Sequence, residues 1–227
     1  MGLPAAFVAI TAFAVNDLLY RLLGAWVSPW VIMGTVAGSL FLVSALGLGV
    51  RRQRLLPAQL GGAVGWLTFF RVANSVLAVF VFQCLPVSQA YLLLFTFPVI
   101  IVLFQAVFYR HFRWASGVSV ILGLTGLSLV FYTGGFRSPL GVLLGLLCAG
   151  TLAAQILAAR KTQSVSVLQL SANYAMWVIA VAFVGAWFFP VAASGAPGPW
   201  WPLLLLAIVN PLGSLAYVYA AQRLSSA

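Results

Sequence analysis

The sequence predicts an all-α fold, a polytopic transmembrane helical bundle, and three observations carry that prediction. Of 227 residues, 64% are hydrophobic and only 5% are charged, against about 25% charged in a soluble domain. A mean hydropathy of +1.14 is spread along the whole chain in repeated runs of about 20 apolar residues, the length that crosses a hydrocarbon core about 30 Å thick. The eleven Lys and Arg residues stand against one acid, Asp17, and one histidine, His111, and they gather in short clusters between the apolar runs. A soluble globular fold is excluded. In a soluble domain a net charge of +10 would point to nucleic acid. Between spans it reads as orientation and contact with anionic lipid, so the expected partner is the lipid bilayer and no nucleic acid is expected.

Apolar runs between charge clusters and Pro or Gly breaks give eight spans: 3–23, 29–50, 60–83, 87–109, 115–132, 140–160, 167–189 and 202–223. The first has no basic leader, and Asn16, Asp17 and Arg21 interrupt it, so it is a retained span and not a signal peptide. The second carries Gly34 with Gly38, and the third opens on Gly61 and Gly65 and holds Trp66, Phe69, Phe70, Arg71, Asn74 and Ser75. Phe97-Pro98 marks the fourth, and Gly117, Gly123 and Gly126 the fifth. In the sixth lie Gly141, Gly145, Cys148 and Gln155; in the seventh, Asn173, Tyr174 and Trp177; in the eighth, Asn210, Pro211 and Ser214. The paired glycines form small-xxx-small faces that allow close helix packing.

Alternate connections sort the cations. Arg51, Arg52, Arg54, Arg110, Arg113, Arg160, Lys161 and Arg223 fall on one side, and Arg21 and Arg137 on the other. The positive-inside rule then places the N-terminus and the end of the eighth span in the cytosol. Trp26, Trp30, Trp187, Trp200 and Trp201 fall at outer ends and Trp114 at an inner one, as interfacial anchors do. Cys84 and Cys148 have no C-x-x-C or His partner, so neither a disulfide framework nor a metal site is expected.

Residues 80–90 lie over 217–227 without a gap: Val81, Ser88 and Ala90 meet Val218, Ser225 and Ala227, and Phe80 and Phe82 meet tyrosines. The stretch 16–21 falls over 155–160 at nearly the same offset. The chain therefore reads as one and a half copies of a five-helix unit, and an odd count makes the second copy enter the membrane inverted. The first repeat is 1–136. The second, 137–227, stops after its third helix, so eight helices of an expected ten are present and two, about 45 residues by analogy, are missing. A fragment or a truncated gene product is expected.

On these elements the sequence resembles the EamA-like branch of the drug/metabolite transporter superfamily. The best stretch is 80–134: a helix ending in Leu85-Pro86-Val87-Ser88-Gln89-Ala90, a helix with Phe97-Pro98, a basic turn ending in Trp114, and a Gly-rich helix. One departure is that the family's Glu in that turn falls at Arg110, which removes the basis for a gating ion pair there. The run Asn16-Asp17-Leu18-Leu19-Tyr20-Arg21 is similar to an Asp-then-Lys pattern in some members, with Arg for Lys. The resemblance implies a ten-helix secondary transporter of the bacterial inner membrane.

Enzyme chemistry is not expected, because His111 and Asp17 belong to opposite ends of the spans and no acid–base pair, triad or metal set can be assembled. Lys161 lies in a loop, unsuited to a retinal Schiff base, and no cofactor is expected. The sharper candidates are charges inside spans, which cost at least about 2.5 to 3.5 kcal/mol and take a partner or a cavity. At about 1.5 Å per residue, Asp17 stands about 21 Å up the first span and Arg71 about 17 Å up the third. An intramembrane ion pair facing a central cavity follows as an expectation, with Arg21, one turn from Asp17, as a competing partner. Each of these three fits a transport or gating role and a structural one.

Asn74, Ser75, Gln155, Asn173, Tyr174, Asn210 and Ser214 cluster at similar depth, fitting either interhelical hydrogen bonds or substrate contact. Pro211 breaks the ladder beside Asn210, as at transporter midplane sites. Trp66 and Trp177 with Phe69 and Phe70 fit either packing or an aromatic wall. The expected substrate-contact set is Asn16, Asp17, Trp66, Arg71, Asn74, Tyr174 and Asn210. The expected function is alternating-access transport of a small organic metabolite, an amino-acid-like solute or an organic cation. The rival is a non-transporting integral membrane protein lacking the last two helices, its open wall covered by a partner or by a second copy in a homodimer.

Overall fold

In a computed structural model, residues 2–24, 26–57, 61–109, 114–132, 138–189 and 199–223 are described. They form α1 (Gly2–Leu23), α2 (Pro29–Val50), α3 (Ala63–Cys84), α4 (Val87–Leu94), α5 (Phe97–Tyr109), α6 (Trp114–Tyr132), α7 (Pro139–Ala159), α8 (Val167–Phe188) and α9 (Trp201–Arg223). Six of them, α1, α2, α3, α7, α8 and α9, are long and apolar enough to cross a membrane. Leu3, Phe7, Ile10, Leu42, Leu46, Phe183 and Ile208 are exposed along these helices, which in water would be untenable and in lipid is the expected outer face. The chain is a multi-pass helical membrane protein.

The fourth sequence span is not one helix. It breaks into α4 and α5 at Phe95 and Thr96, because Pro98 has no N–H to give to the carbonyl one turn back and its ring crowds that turn. Thr96 turns its hydroxyl onto the Leu93 carbonyl at 2.7 Å, and its own carbonyl takes up the Ile100 N–H at 3.1 Å. The other seven spans appear as single helices, with ends shifted by at most a few residues.

Two compact units divide the chain. The first comprises Met1–Val72 and Ala158–Ala227 and holds α1, α2, α8, α9 and the first part of α3. Here α1 runs antiparallel to α9: Gly213 stands so near Ala12 that an added Cβ would lie 2.8 Å from the Ala12 Cβ. Leu19, Leu23, Ile32, Val36 and Leu206 close the core at one end, and Val64, Leu67, Ala158, Ala159, Leu170 and Val218 at the other.

The α2–α8 pair in this unit is also antiparallel, and two glycines set its spacing. Gly185 lies against the Trp30 ring, and a Cβ on Gly47 would come within 3.0 Å of Leu168. Trp30 is buried and donates its indole N–H to the Phe189 carbonyl at 2.9 Å. That corrects its expected role as a belt residue: the glycine opposite admits the ring between helices. Trp187, Trp200 and Trp201 are exposed near helix ends, positions that suit the membrane–water boundary.

In the second unit, Ala73–Leu157, the rest of α3 packs antiparallel to α7. Val81, Leu85, Ala90, Leu93 and Cys148 form its core. A Cβ on Gly141 or Gly145 would lie 2.6 Å from Leu85 or Leu93 respectively, so this small-residue face packs closely. Gly34 and Gly38 have nothing within 4 Å of an added Cβ, and the close packing expected there is absent among the described residues. Arg110, His111, Arg113 and Arg137, and with them the turn compared with the family's Glu, lie outside the described residues; so does the side chain of Trp114.

Candidate functional site

Apolar helices that carry a few polar side chains must turn them inward, since a polar group facing lipid has no partner. In the first unit that rule produces two buried polar layers. In one, the Asn16 side-chain amide on α1 donates to Asn210 Oδ1 on α9 at 3.2 Å. The Asn210 amide in turn donates to the Val36 carbonyl on α2 at 3.3 Å. Asn16 is 2% and Asn210 5% exposed, so three helices are tied by amides in a dry setting. Pro211, inside α9, removes one backbone N–H beside this knot.

In the other layer, Asn173 on α8 donates to the Thr68 hydroxyl on α3 at 2.8 Å. One residue on, Tyr174 presents its ring to Arg71: the guanidinium carbon stands 4.0 Å from the ring centroid. Arg71 is 5% exposed. A cation over an aromatic face gains about 2 kcal/mol or more when desolvated, which offsets part of the cost of holding a guanidinium away from water. Tyr217 of α9, whose ring tilts against Phe13 at 5.9 Å between centroids, is within electrostatic reach of the same guanidinium.

Tyr20 of α1 is within electrostatic reach of both Tyr174 and the lone carboxylate, Asp17. Asp17 is half-buried, and Arg21 is exposed at the end of the same helix. Of the two arginines expected to compete for Asp17, Arg71 is buried against Tyr174 and Arg21 is exposed at the end of α1.

Trp66 stacks on Phe70 at 5.6 Å and meets Phe69 edge-on at 6.1 Å, so the aromatic cluster exists. Trp66 and Phe69 are each 60% exposed and stand on a face of α3 turned away from Arg71; five residues carry the helix about 140° round. Trp177 is exposed as well. Asn74 belongs to the second unit, where its amide donates to the Cys148 carbonyl at 3.0 Å and the Thr151 hydroxyl at 3.2 Å on α7. Gln155 is buried in that unit too.

Sequence reasoning missed three members of the set, Thr68, Tyr20 and Tyr217. Thr68 lies three residues before Arg71 and so on its helix face, a signal that was present but weak. Tyr20 and Tyr217 sit inside the two stretches used to align the repeats, where they served as markers and not as side chains.

No family model and no curated protein matches this chain. Among solved structures, a crystal structure described only as that of a protein is similar with a TM-score of 0.70, at 18% identity, over 96% of this chain and 78% of that one. At that identity the likeness carries the fold and nothing more.

Proposed function

We propose that this protein is a secondary transporter of the EamA-like kind, built as an inverted repeat and moving a small organic solute by alternating access. The observation that carries the reading is Arg71, a guanidinium buried near the middle of an apolar helix against the ring of Tyr174. Such a charge at membrane depth marks a solute or ion pathway more often than a scaffold.

Internal symmetry supports the repeat. One offset carries Ser28 onto Ser166, the N-caps of α2 and α8, and the same offset carries Trp30 onto Leu168 and Gly47 onto Gly185. The contact of Gly185 with Trp30 and that of Gly47 with Leu168 are then one contact made twice. Likewise the α1–α9 pair in the first unit has its counterpart in the α7–α3 pair of the second, each antiparallel and each pinned by an asparagine, Asn210 and Asn74. Inverted repeats of this sort are the architecture of alternating access.

The buried guanidinium favours a solute with a carboxylate, amino-acid-like or otherwise anionic, bound at Arg71 with Tyr174 beside it. Asp17 is the only acid in the chain and hence the only carboxylate that can couple transport to protons. Arg51, Arg52, Arg54, Arg160, Lys161 and Arg223 mark the cytosolic end by the positive-inside rule, in a bacterial inner membrane with the N-terminus inside.

The test is solute counterflow in proteoliposomes with a panel of amino acids, dicarboxylates and organic cations. Exchange of a carboxylate-bearing solute above protein-free liposomes is expected, with Arg71→Gln lowering the rate at least tenfold and Arg71→Lys less. Organic cations exchanging while carboxylates do not would overturn the substrate class, and no exchange by any solute would overturn the transport reading. With an active solute, Asp17→Asn is expected to flatten the pH dependence of uptake. Dependence unchanged by that substitution would remove Asp17 from the proton path.

A further inference from the structure

At the cation-rich end of the first unit, three elements enclose a cleft of about 750 Å3: the end of α2, the start of α8 and the end of α9. Arg51 enters from α2 and Arg223 from α9. The Arg223 guanidinium lies over the Tyr219 ring, 5.6 Å from its centroid, and Tyr219 lines the cleft as well. The first turn of α8 lines the same cleft, and its N-cap, Ser166, makes no side-chain capping bond. The first-turn N–H groups of a helix have no partner within it, and the helix dipole adds positive potential there.

Side-chain amides tie the segments around the cleft together. Gln222, 9% exposed, holds the end of α9 to the turn before α8, donating to the Thr162 carbonyl at 2.9 Å and the Val165 carbonyl at 3.2 Å. Gln169 holds the chain after α2 by donating to the Arg54 carbonyl at 2.9 Å. Leu168, Leu215 and Ala216 give the cleft an apolar wall, Gln163 adds a polar side chain, and the cleft lies at the ends of three membrane-length helices, the level of lipid headgroups.

We infer that this cleft binds a phosphate group, held by the guanidinium groups of Arg51 and Arg223 with the uncapped start of α8 in the same wall. Two arginines supply charge-assisted hydrogen bonds in the forked geometry that phosphate oxygens accept. The apolar walls beside them fit the diester of an anionic phospholipid, whose acyl chains leave toward the bilayer. A soluble phosphate compound is the other source of the same chemistry. The inference does not depend on the transport reading and stands or falls by binding alone.

The full chain, purified in mild detergent, is melted with added phosphatidylglycerol, phosphatidylcholine, inorganic phosphate or glycerol phosphate. Phosphatidylglycerol is expected to raise the melting temperature where phosphatidylcholine does not. The Arg51→Gln/Arg223→Gln variant is expected to need at least tenfold more lipid for the same shift. Arg160→Gln/Lys161→Gln, with the same loss of charge at the same end, should respond as the parent does. A shift with the soluble phosphates that excludes the lipid effect assigns the site to a soluble ligand and keeps the cleft.

Equal weakening in both double variants means a diffuse surface charge and overturns the site, as does an equal response to both lipids. Native mass spectrometry of the unaltered chain gives a second reading that no folding defect can cloud. One retained phosphatidylglycerol per chain supports the cleft, and a featureless ladder of adducts overturns it.

Discussion

Arg71 shows how few residues decide the character of an apolar chain. A lone guanidinium inside a span costs at least about 2.5 to 3.5 kcal/mol, and the face of Tyr174 at 4.0 Å offsets much of that. Replacing Tyr174 by Leu is therefore expected to lower stability by about 2 kcal/mol, measured by reversible unfolding in mixed micelles. Tyr174→Phe keeps the ring face and should lose less; equal losses would mean that the ring face does not hold the guanidinium. The amide knot between Asn16 and Asn210 is expected to give a coupling of about 0.6 kcal/mol, and no more than about 1.7, in a double-mutant cycle with Ala. A coupling of zero would separate the two amides. Arg71, Asn16, Asn210 and Tyr174 were legible in the sequence because a polar residue in an apolar run stands out. Trp66 stood out equally, yet its exposed face shows that an aromatic residue carries no sign of direction: lipid accepts it as readily as a cavity does.

Helix boundaries were largely legible, since clustered cations and Pro- or Gly-containing turns gather where the chain leaves the hydrocarbon. The α2–α8 pairing was not, because only Ser28, Ala37, Val43 and Gly47 keep their identity in Ser166, Ala175, Val181 and Gly185, too few to stand out in a composition this narrow. The spacing of that pair rests on glycine. Gly185→Leu would drive a side chain into the Trp30 ring and is expected to cost about 1 to 3 kcal/mol by overpacking. Gly34→Ala, where nothing stands within 4 Å, should be near neutral in the same unfolding assay. Comparable losses at both positions would mean that the contact does not govern the pairing. The break between α4 and α5 was visible as Phe97-Pro98, but a proline inside a span can kink a helix or end it. With Pro98→Ala the two segments are expected to fuse, bringing spin labels at positions 88 and 104 to the separation of a straight helix, about 24 Å. An unchanged distance would assign the break to Thr96 and the packing around it.

For the whole molecule, the distribution of charge makes a prediction that labelling can check. With cysteine introduced at Gln53 or Gln163, a membrane-impermeant thiol reagent should fail to label intact cells, and cysteine at Trp200 should react. The reverse pattern would invert the topology. Residues 53, 163 and 223 share one end of the first unit, where Gln169 and Gln222 tie their segments together, so the three report on a single face. The sequence by itself determined that this chain lives in lipid, where most of its apolar runs begin and end, and which connections carry its charge; it reads as eight spans, of which six are helices long and apolar enough to cross a membrane among the described residues. Each of those is a property of a segment, fixed by the transfer energy of its own side chains. Which polar residues meet was decided only by tertiary structure. Asn16 finds Asn210 at the far end of the chain, and Arg71 finds the ring of Tyr174 on another helix. Partners inside a membrane are chosen by which helix faces pack together, and in lipid the apolar pattern leaves those faces nearly degenerate until glycines and amides lock one arrangement.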